Sequence, residues 1–299
     1  MKPTDEFTLE KSNIRLYNGD AFAVLSSLKG DSVDAIVTDP PYGINFQTTK
    51  SATKWDNFSE QEYYNFIAEF LGSAKRVLKP GGSMWMFCAP TMIPTIFKSH
   101  ERNAPELKLN LENWCVIARN KGRGSSKKLK SIREDVLHFS KGKYAWHPME
   151  YWRKCVTPYI VDGKPRGWVV DQESGQPMRW SGVGNVLFYT FPYYLNKFEP
   201  QIHGTQKPIL ALCNFIMSTT DAGATVLDPF AGSMSCGVAS VLCDRHFIGV
   251  EREPEMYAKG KVWLENIDFL EAENYVKNRL SSGERGFKFG FDSRKYQKK

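Results

Sequence analysis

The sequence predicts an α/β fold, a doubly wound and mainly parallel sheet with helices on both faces, and three observations predict it. Short apolar, β-branched runs alternate with stretches of helical apolar spacing, the pattern of strands buried on both faces by crossover helices. Two of the runs end abruptly in turns that carry chemistry: Val33–Val37 leads into Asp39-Pro40-Pro41-Tyr42, and Val226-Leu227 into Asp228-Pro229-Phe230-Ala231-Gly232. The second turn opens a helix rich in small residues, followed by a strand, His246–Glu251, that closes on an acid.

In chain order, 13–20 reads as a strand ending in a turn, 21–28 as a short helix, and 33–38 as the strand before the proline pair. Residues 48–58 are polar and irregular, which predicts a mobile loop. Ser59-Glu60-Gln61-Glu62 has the pattern of a capping box. Tyr63, Phe66, Ile67, Phe70, Leu71, Ala74 and Leu78 then keep helical spacing until Lys79-Pro80-Gly81-Gly82. Residues 83–90, 113–120 and 135–141 read as further strands. From 142 to 204 the period is lost among tryptophans (Trp146, Trp152, Trp168, Trp180), tyrosines, glycines and prolines, an irregular insert with short strands. The pattern resumes with a helix over 205–219, a strand over 224–230, a helix over 233–243 and a strand over 246–251. A long helix follows from Pro254 to about Leu280, its proline at the first turn. The expected organisation is two halves of one domain, 1–141 and 205–280, an insert over 142–204 and a basic tail over 281–299.

A chain of 299 residues, 41% hydrophobic and 24% charged, has the composition of a soluble globular protein with a substantial core. No apolar run approaches the roughly eighteen residues of a membrane span, and the opening MKPTDEFTLE is not a signal peptide, so a cytoplasmic location is expected. Cys88, Cys115, Cys155, Cys213, Cys236 and Cys243 lie far apart without a C-x-x-C pair, which points to buried reduced thiols and away from zinc. The net charge is +7. Nine Lys or Arg against two acids fall between Arg119 and Lys143, and eight against two between Tyr275 and Lys299. Such clusters fit a polyanionic partner, although lysine-rich loops are also common as solvated surface.

The two turns can be read from their residues. Each proline fixes its own φ and restricts its predecessor, so Asp39-Pro40-Pro41-Tyr42 is a stiff, extended tip with a carboxylate before it and a phenol after it. It stands at the carboxyl end of a strand, where open α/β sheets place ligands. In the second turn Gly232 permits close approach to a helix amino terminus, and Glu251, 19 residues beyond it, can accept both hydroxyls of a ribose. Only Gly232 and Gly237 occur, not G-x-G-x-x-G, so the site suits a ligand with a ribose but no phosphate at the turn. S-adenosylmethionine is such a ligand. An ordinary strand–turn–helix fits this stretch equally well.

Together these segments resemble the DNA amino-methyltransferases, which methylate adenine N6 or cytosine N4. LYNGDAFAVLSSLKGDSVDAIVTDPPYG, RVLKPGGSMWMF, REDVLHFSK, HGTQKPILALCNFIM and VLDPFAGSMSCGVAS resemble the family's blocks. The catalytic block precedes the cofactor block, as in the β class. The resemblance implies a Rossmann-like S-adenosylmethionine-dependent methyltransferase fold, with 142–204 as the target-recognition insert and 205–280 as the cofactor-binding half. It implies S-adenosylmethionine as cofactor, with S-adenosylhomocysteine as product, and no metal.

The resemblance also implies site roles. Asp39 and the Pro40 carbonyl would accept from the target amine, Pro41 would stiffen the tip, and Tyr42 would stack on the flipped base. Glu251 would hold the ribose, Asp20 the adenine amino group and Phe230 the adenosyl moiety. Gly232 would allow close approach, with Asp39 and Asp228 at the neighbouring tips. Ser233, Ser235, Thr205 and Lys207 would lie near the methionine end, although Thr205 fits a helix cap and Lys207 a surface charge. Met234 stands where the family has glycine, and Gly204 where it has proline.

Asp-Pro-Pro-Tyr implies adenine N6 in double-stranded DNA, with cytosine N4 as the alternative. An RNA or protein-amide methyltransferase and a silent DNA-binding subunit on the same fold are further rivals. Arg123, Lys127, Lys128 and Lys130 would track phosphates, and Arg153, Lys154, Arg166, Arg179 and Lys197 would contact phosphates or guanine edges. A homodimer, a cognate restriction endonuclease and a bacterial or phage origin accord with the family.

Overall fold

Val33–Thr38 lies fifth among nine hydrogen-bonded strands. Its alternate residues, Ala35 and Val37 against Ile36, enter two separate hydrophobic cores on opposite faces. That double burial is why the run reads as apolar at nearly every position. The computed structural model describes residues 1–43, 56–102, 108–123, 129–148, 150–155, 158–172, 174–182, 184–188, 199, 200, 202, 204 and 206–272.

In order the elements are β1 (Asp5–Leu9), β2 (Ser12–Asn18), α1 (Ala21–Ser27), β3 (Val33–Thr38), α2 (Glu60–Val77), β4 (Leu78–Cys88), α3 (Ile93–Arg102), β5 (Asn110–Arg123) and β6 (Ser131–Ser140). There follow β7 (Glu150–Lys154), β8 (Ile160–Val161), β9 (Lys164–Pro165), β10 (Val169–Val170), β11 (Pro177–Gly182) and β12 (Val186–Phe188). The chain continues through α4 (Ile209–Thr219), β13 (Thr225–Asp228), α5 (Ser235–Leu242), β14 (His246–Glu251) and α6 (Pro254–Glu265). The large sheet has the order β1-β2-β14-β13-β3-β4-β6-β5-β12. Its centre, β2-β14-β13-β3-β4, is parallel throughout. The carboxyl ends of five strands therefore meet along one edge, at Asn18, Glu251, Asp228, Thr38 and Cys88.

Helices α1, α2 and α3 bury Val24, Leu25, Tyr63, Ile67, Phe70 and Ile96 against one face. Helices α4, α5 and α6 bury Phe215, Ile216, Val238, Val241 and Leu264 against the other. The capping box is present: Ser59 Oγ accepts from Glu62 N, and Glu62 Oε2 accepts from Ser59 N at 2.7 Å. On the opposite face Trp85 stacks between His138, 3.9 Å away, and Phe215, 4.5 Å away. All six cysteines are buried and free.

Three helix boundaries differ from the sequence reading, each for a local reason. The helix expected over 205–219 begins at Ile209, because Pro208 excludes a helical conformation at Lys207 and itself takes the N-cap place with extended ψ. The helix expected from Ser233 begins at Ser235, because Met234 is left-handed, with φ 64°. The helix expected to reach about Leu280 stops at Glu265. Its last residues lead to Asp268, whose Oδ1 accepts from Leu270 N and Glu271 N and opens a fresh turn. Residues beyond 272, and most of the 48–58 loop, lie outside the described residues.

Between the two halves of the chain, β7, β10 and β11 form a small antiparallel sheet. β8 and β9 form a hairpin around Asp162 and Gly163, both with positive φ. β12 instead joins the large sheet, parallel to β5. Among the described residues no helix is long and apolar enough to cross a membrane.

Candidate active site

The parallel centre of the sheet gathers both chemistry-bearing turns at one edge. β13 and β3 are neighbours, and Thr38 Oγ1 donates to Asp228 Oδ1 at 2.6 Å. The same oxygen accepts from Phe230 N at 3.1 Å, so Asp228 ties the tip of β3 to the turn after β13. Burial, helped by the nearby carboxylates of Asp39 and Glu251, pushes the Asp228 carboxyl up to about 7.

At the first turn Pro40 is buried and Pro41 and Tyr42 are half-buried. Both oxygens of Asp39 are occupied: Tyr42 OH donates to Oδ1 at 2.5 Å, and Lys207 Nζ donates to Oδ2 at 2.5 Å. Burial first, and then the adjoining Asp39 carboxylate, hold the Tyr42 phenol well above its ordinary range. The Lys207 ammonium lies 5.1 Å from the centre of the Phe87 ring and 5.6 Å from that of Tyr42, with Glu134 Oε2 at 3.6 Å. The turn closes where Gly43 N donates to Asp56 Oδ1 at 2.6 Å. A β-carbon at Gly43 would stand 2.7 Å from the Tyr63 ring, so only glycine fits.

At the second turn Glu251 Oε2 accepts from Gly232 N and Oε1 from Glu253 N, each at 2.8 Å. Burial raises the Glu251 carboxyl, and these backbone donors pull against the shift. Gly232 has φ 49°, and a β-carbon there would meet only Phe230 O, at 4.0 Å. Phe230 packs its ring on Phe66 and Phe70. Ser233 and Ser235 are buried. Asp20 is exposed at the N-cap of α1, where Oδ1 accepts from Phe22 N and Ala23 N at 3.0 Å.

Met234, the departure from the family pattern, is fully buried, and its side chain turns towards α6. A β-carbon at Gly260 would lie 2.6 Å from Met234 Cγ, 3.0 Å from the Ser233 carbonyl carbon and 3.1 Å from Gly232 O. The bare backbone of α6 at Gly260 therefore makes room for both the methionine and the turn. An isolated glycine inside a helical pattern was the one sequence signal for this contact.

Of the predicted site residues, Asp39, Pro40, Pro41, Tyr42, Lys207, Asp228, Phe230, Gly232, Ser233, Ser235, Glu251 and Asp20 all belong to this carboxyl edge or the segments beside it. Thr38, Glu134 and Gly260 belong with them and were not singled out from sequence. Thr205, Lys127, Lys128 and Lys197 lie outside the described residues, as do the side chains of Arg123, Arg153 and Lys154. Lys130 and Arg166 are exposed. The β7–β11 register sets Arg153 opposite Arg179.

The electrostatics favour a cationic ligand. The Asp39 and Glu251 carboxylates both raise the cost of ionising Asp228, and a sulfonium or ammonium would relieve it. The anchored Glu251 carboxylate can accept ribose hydroxyls on its remaining lone pairs. These residues fit S-adenosylmethionine. Among the described residues no His, Cys, Asp and Glu group could hold a metal.

Residues 33–261 match a family model, N6_N4_Mtase, described as DNA methylase. The chain is 29% identical over 272 residues to the DNA adenine methyltransferase YhdJ of Escherichia coli (strain K12), covering 88% of this chain and 86% of that protein. It is 28% identical over 254 residues to the Type II methyltransferase M.HpaI of Haemophilus parainfluenzae, covering 84% and 74%. Among solved structures, the cytosine-N4-specific PvuII DNA methyltransferase gives a TM-score of 0.60 at 19% identity, covering 91% of this chain and 94% of its own. The M1.HpyAVI–SAM complex gives 0.56 at 23% identity, covering 85% and 100%. At these identities the two structures speak for the fold alone.

Proposed function

The chain belongs to the N6/N4 DNA methylase family, and from that premise we propose that it transfers the methyl group of S-adenosylmethionine to N6 of an adenine flipped out of duplex DNA. The observation that supports this reading is the hydrogen bond from Thr38 to Asp228, which joins the turn carrying Asp39 to the turn whose Gly232 N donates to Glu251.

Asp39, Tyr42 and Lys207 serve the target; Asp228, Phe230, Gly232, Ser233, Ser235 and Glu251 serve the cofactor, with Asp20 at its adenine end. The cofactor supplies a methyl already activated on sulfur. An exocyclic amine is a poor nucleophile because its lone pair is delocalised into the ring. Asp39 Oδ1 and the Pro40 carbonyl, on a backbone that two prolines stiffen, accept hydrogen bonds from its two N–H groups and orient it, and one proton is shed once the methyl has been transferred. Extruding the base costs a few kcal/mol, which stacking on the Tyr42 ring offsets in part. In accepting the base, Tyr42 gives up its hydrogen bond to Asp39, and the amine takes that place.

The insert over 142–204 reads the target. Arg123, Lys127, Lys128 and Lys130 track the phosphates, and Arg153, Lys154, Arg166, Arg179 and Lys197 contact phosphates or guanine edges. The Type II names among the relatives support a paired restriction endonuclease. Their bacterial sources support a cytoplasmic site of action on the chromosome. A homodimer is proposed from the family pattern.

The test is incubation with tritiated S-adenosylmethionine and mixed-sequence duplex DNA, followed by nucleoside chromatography. Label is expected in N6-methyldeoxyadenosine. Label in N4-methyldeoxycytidine overturns the choice of base, and no label in DNA overturns the reading.

A further inference from the structure

We propose that Lys207 is a positioning residue for Asp39 and that Glu134 holds it in that task. The inference rests on the reading of Asp39 as the acceptor of the target amine.

The Lys207 side chain retains only 6% of its exposure, against 24% for Asp39 and 13% for Glu134. An ammonium so withdrawn from water needs anions around it, and it has one on each side. Asp39 Oδ2 lies at 2.5 Å and Glu134 Oε2 at 3.6 Å. The Phe87 and Tyr42 rings cover the cation, which keeps water from competing for it.

The two hydrogen bonds on Asp39 are not equivalent. Lys207 arrives from 168 residues away, two residues before α4, whereas Tyr42 stands three residues along, in the same turn. A carboxylate clamped at Oδ2 no longer swings freely, so Oδ1 faces wherever the Tyr42 hydroxyl points. That hydroxyl is a placeholder, and the target amine replaces it while the Lys207 contact stays. Glu134 supplies the balance of charge. Asp39 and Lys207 alone sum to zero, a weak acceptor, whereas Asp39, Lys207 and Glu134 sum to one negative charge. Glu134 comes from β6, and its strand neighbour Asp135 is buried against Trp114 and Arg133, which fixes its place.

The competing role is contact with the methionine end of the cofactor, and the two separate experimentally. Three variants are made, Lys207→Met, Lys207→Arg and Glu134→Gln. Cofactor affinity is measured calorimetrically, methyl transfer in single turnover on duplex DNA, and the variants are crystallised. For Lys207→Met the S-adenosylmethionine Kd is expected within about threefold of wild type, while the transfer rate falls by about a hundredfold or more, the scale of a mispositioned general base. Asp39 leaves its observed rotamer in that crystal. Lys207→Arg recovers about a tenth or more of the rate, and Glu134→Gln loses about tenfold at unchanged Kd.

A Kd raised more than about tenfold with the transfer rate preserved would overturn the proposal, since Lys207 would then serve the cofactor. So would an unmoved Asp39 with full activity. If Lys207→Met fails to fold, Lys207→Arg and Glu134→Gln carry the same decision. If the wild type itself transfers no methyl to DNA, the functional reading fails. The crystal position of Asp39 and the Kd still decide the role of Lys207.

Discussion

Thr38 Oγ1 and Asp228 Oδ1 are joined by a 2.6 Å hydrogen bond that bridges 190 residues of chain. Both residues are buried, and each ends a central strand. Through Asp228 the bond ties the end of β3, which leads into Asp39, to the turn after β13 that carries Phe230 and Gly232.

The titration of Asp228 should appear in stability. Burial raises its carboxyl from the ordinary 3.8 to about 7, so the folded chain binds this proton more tightly than the unfolded one. The stabilisation is complete below the ordinary value and is lost as pH rises towards and through about 7. Asp228→Asn lacks this titration. In urea unfolding at pH 5 and pH 8, the variant should gain on wild type at the higher pH. A constant difference would contradict the assignment.

Met234 and Gly260 form a matched pair. Gly260→Ala sets a β-carbon against Met234 Cγ and against the backbone of Ser233 and Gly232. Such overpacking costs about 1–3 kcal/mol. Because the backbone contacts belong to the cofactor turn, S-adenosylmethionine affinity should fall with stability. Met234→Gly removes left-handed strain of about 1–2 kcal/mol. It also empties a buried site worth about 2–5 kcal/mol, so it should destabilise on balance. Thermal unfolding of both variants checks the signs.

Asp39→Asn leaves an oxygen to accept but turns an amide towards either Lys207 or the target amine. Methyl transfer should fall by about 10²–10⁴. Calorimetric S-adenosylmethionine binding should fall far less, because Glu251 and the Gly232 turn are untouched.

Glu251→Gln is the reciprocal case. Its two oxygens accept from Gly232 N and Glu253 N, and an amide can replace only one of them. A hydrogen bond to a charged group is worth about 1.5–3 kcal/mol, so the Kd should rise by about ten- to a hundredfold. An unchanged Kd would remove Glu251 from the cofactor site.

Replacing Arg123, Lys127, Lys128 and Lys130 with glutamine should make DNA affinity less salt-dependent. The slope of log K against log salt should drop by about 0.9 for each phosphate that is no longer neutralised. A parallel line at wild-type slope would make the segment ordinary solvated surface.

By itself the sequence determined whatever depends on neighbours a few residues away. The apolar run of Val33–Val37 showed a strand buried on both faces. Ser59 and Glu62 showed a helix start, and the proline pair after Asp39 showed a stiff strand end. These follow from φ restriction, capping and periodicity, which are local. Even so, local signals missed the end of α6 at Glu265, where Asp268 competes for backbone donors.

The tertiary structure alone decided which turns meet and where side chains point. Parallel pairing puts β13 beside β3 only through long crossovers, so no spacing announces that Thr38 reaches Asp228. Lys207 could have faced solvent or cofactor, and packing between Phe87, Tyr42 and Glu134 turned it onto Asp39. Met234 could have blocked the ligand, and a missing side chain at Gly260 drew it into the core instead. Each outcome depends on space and charge that distant segments supply, and a linear pattern does not carry that information.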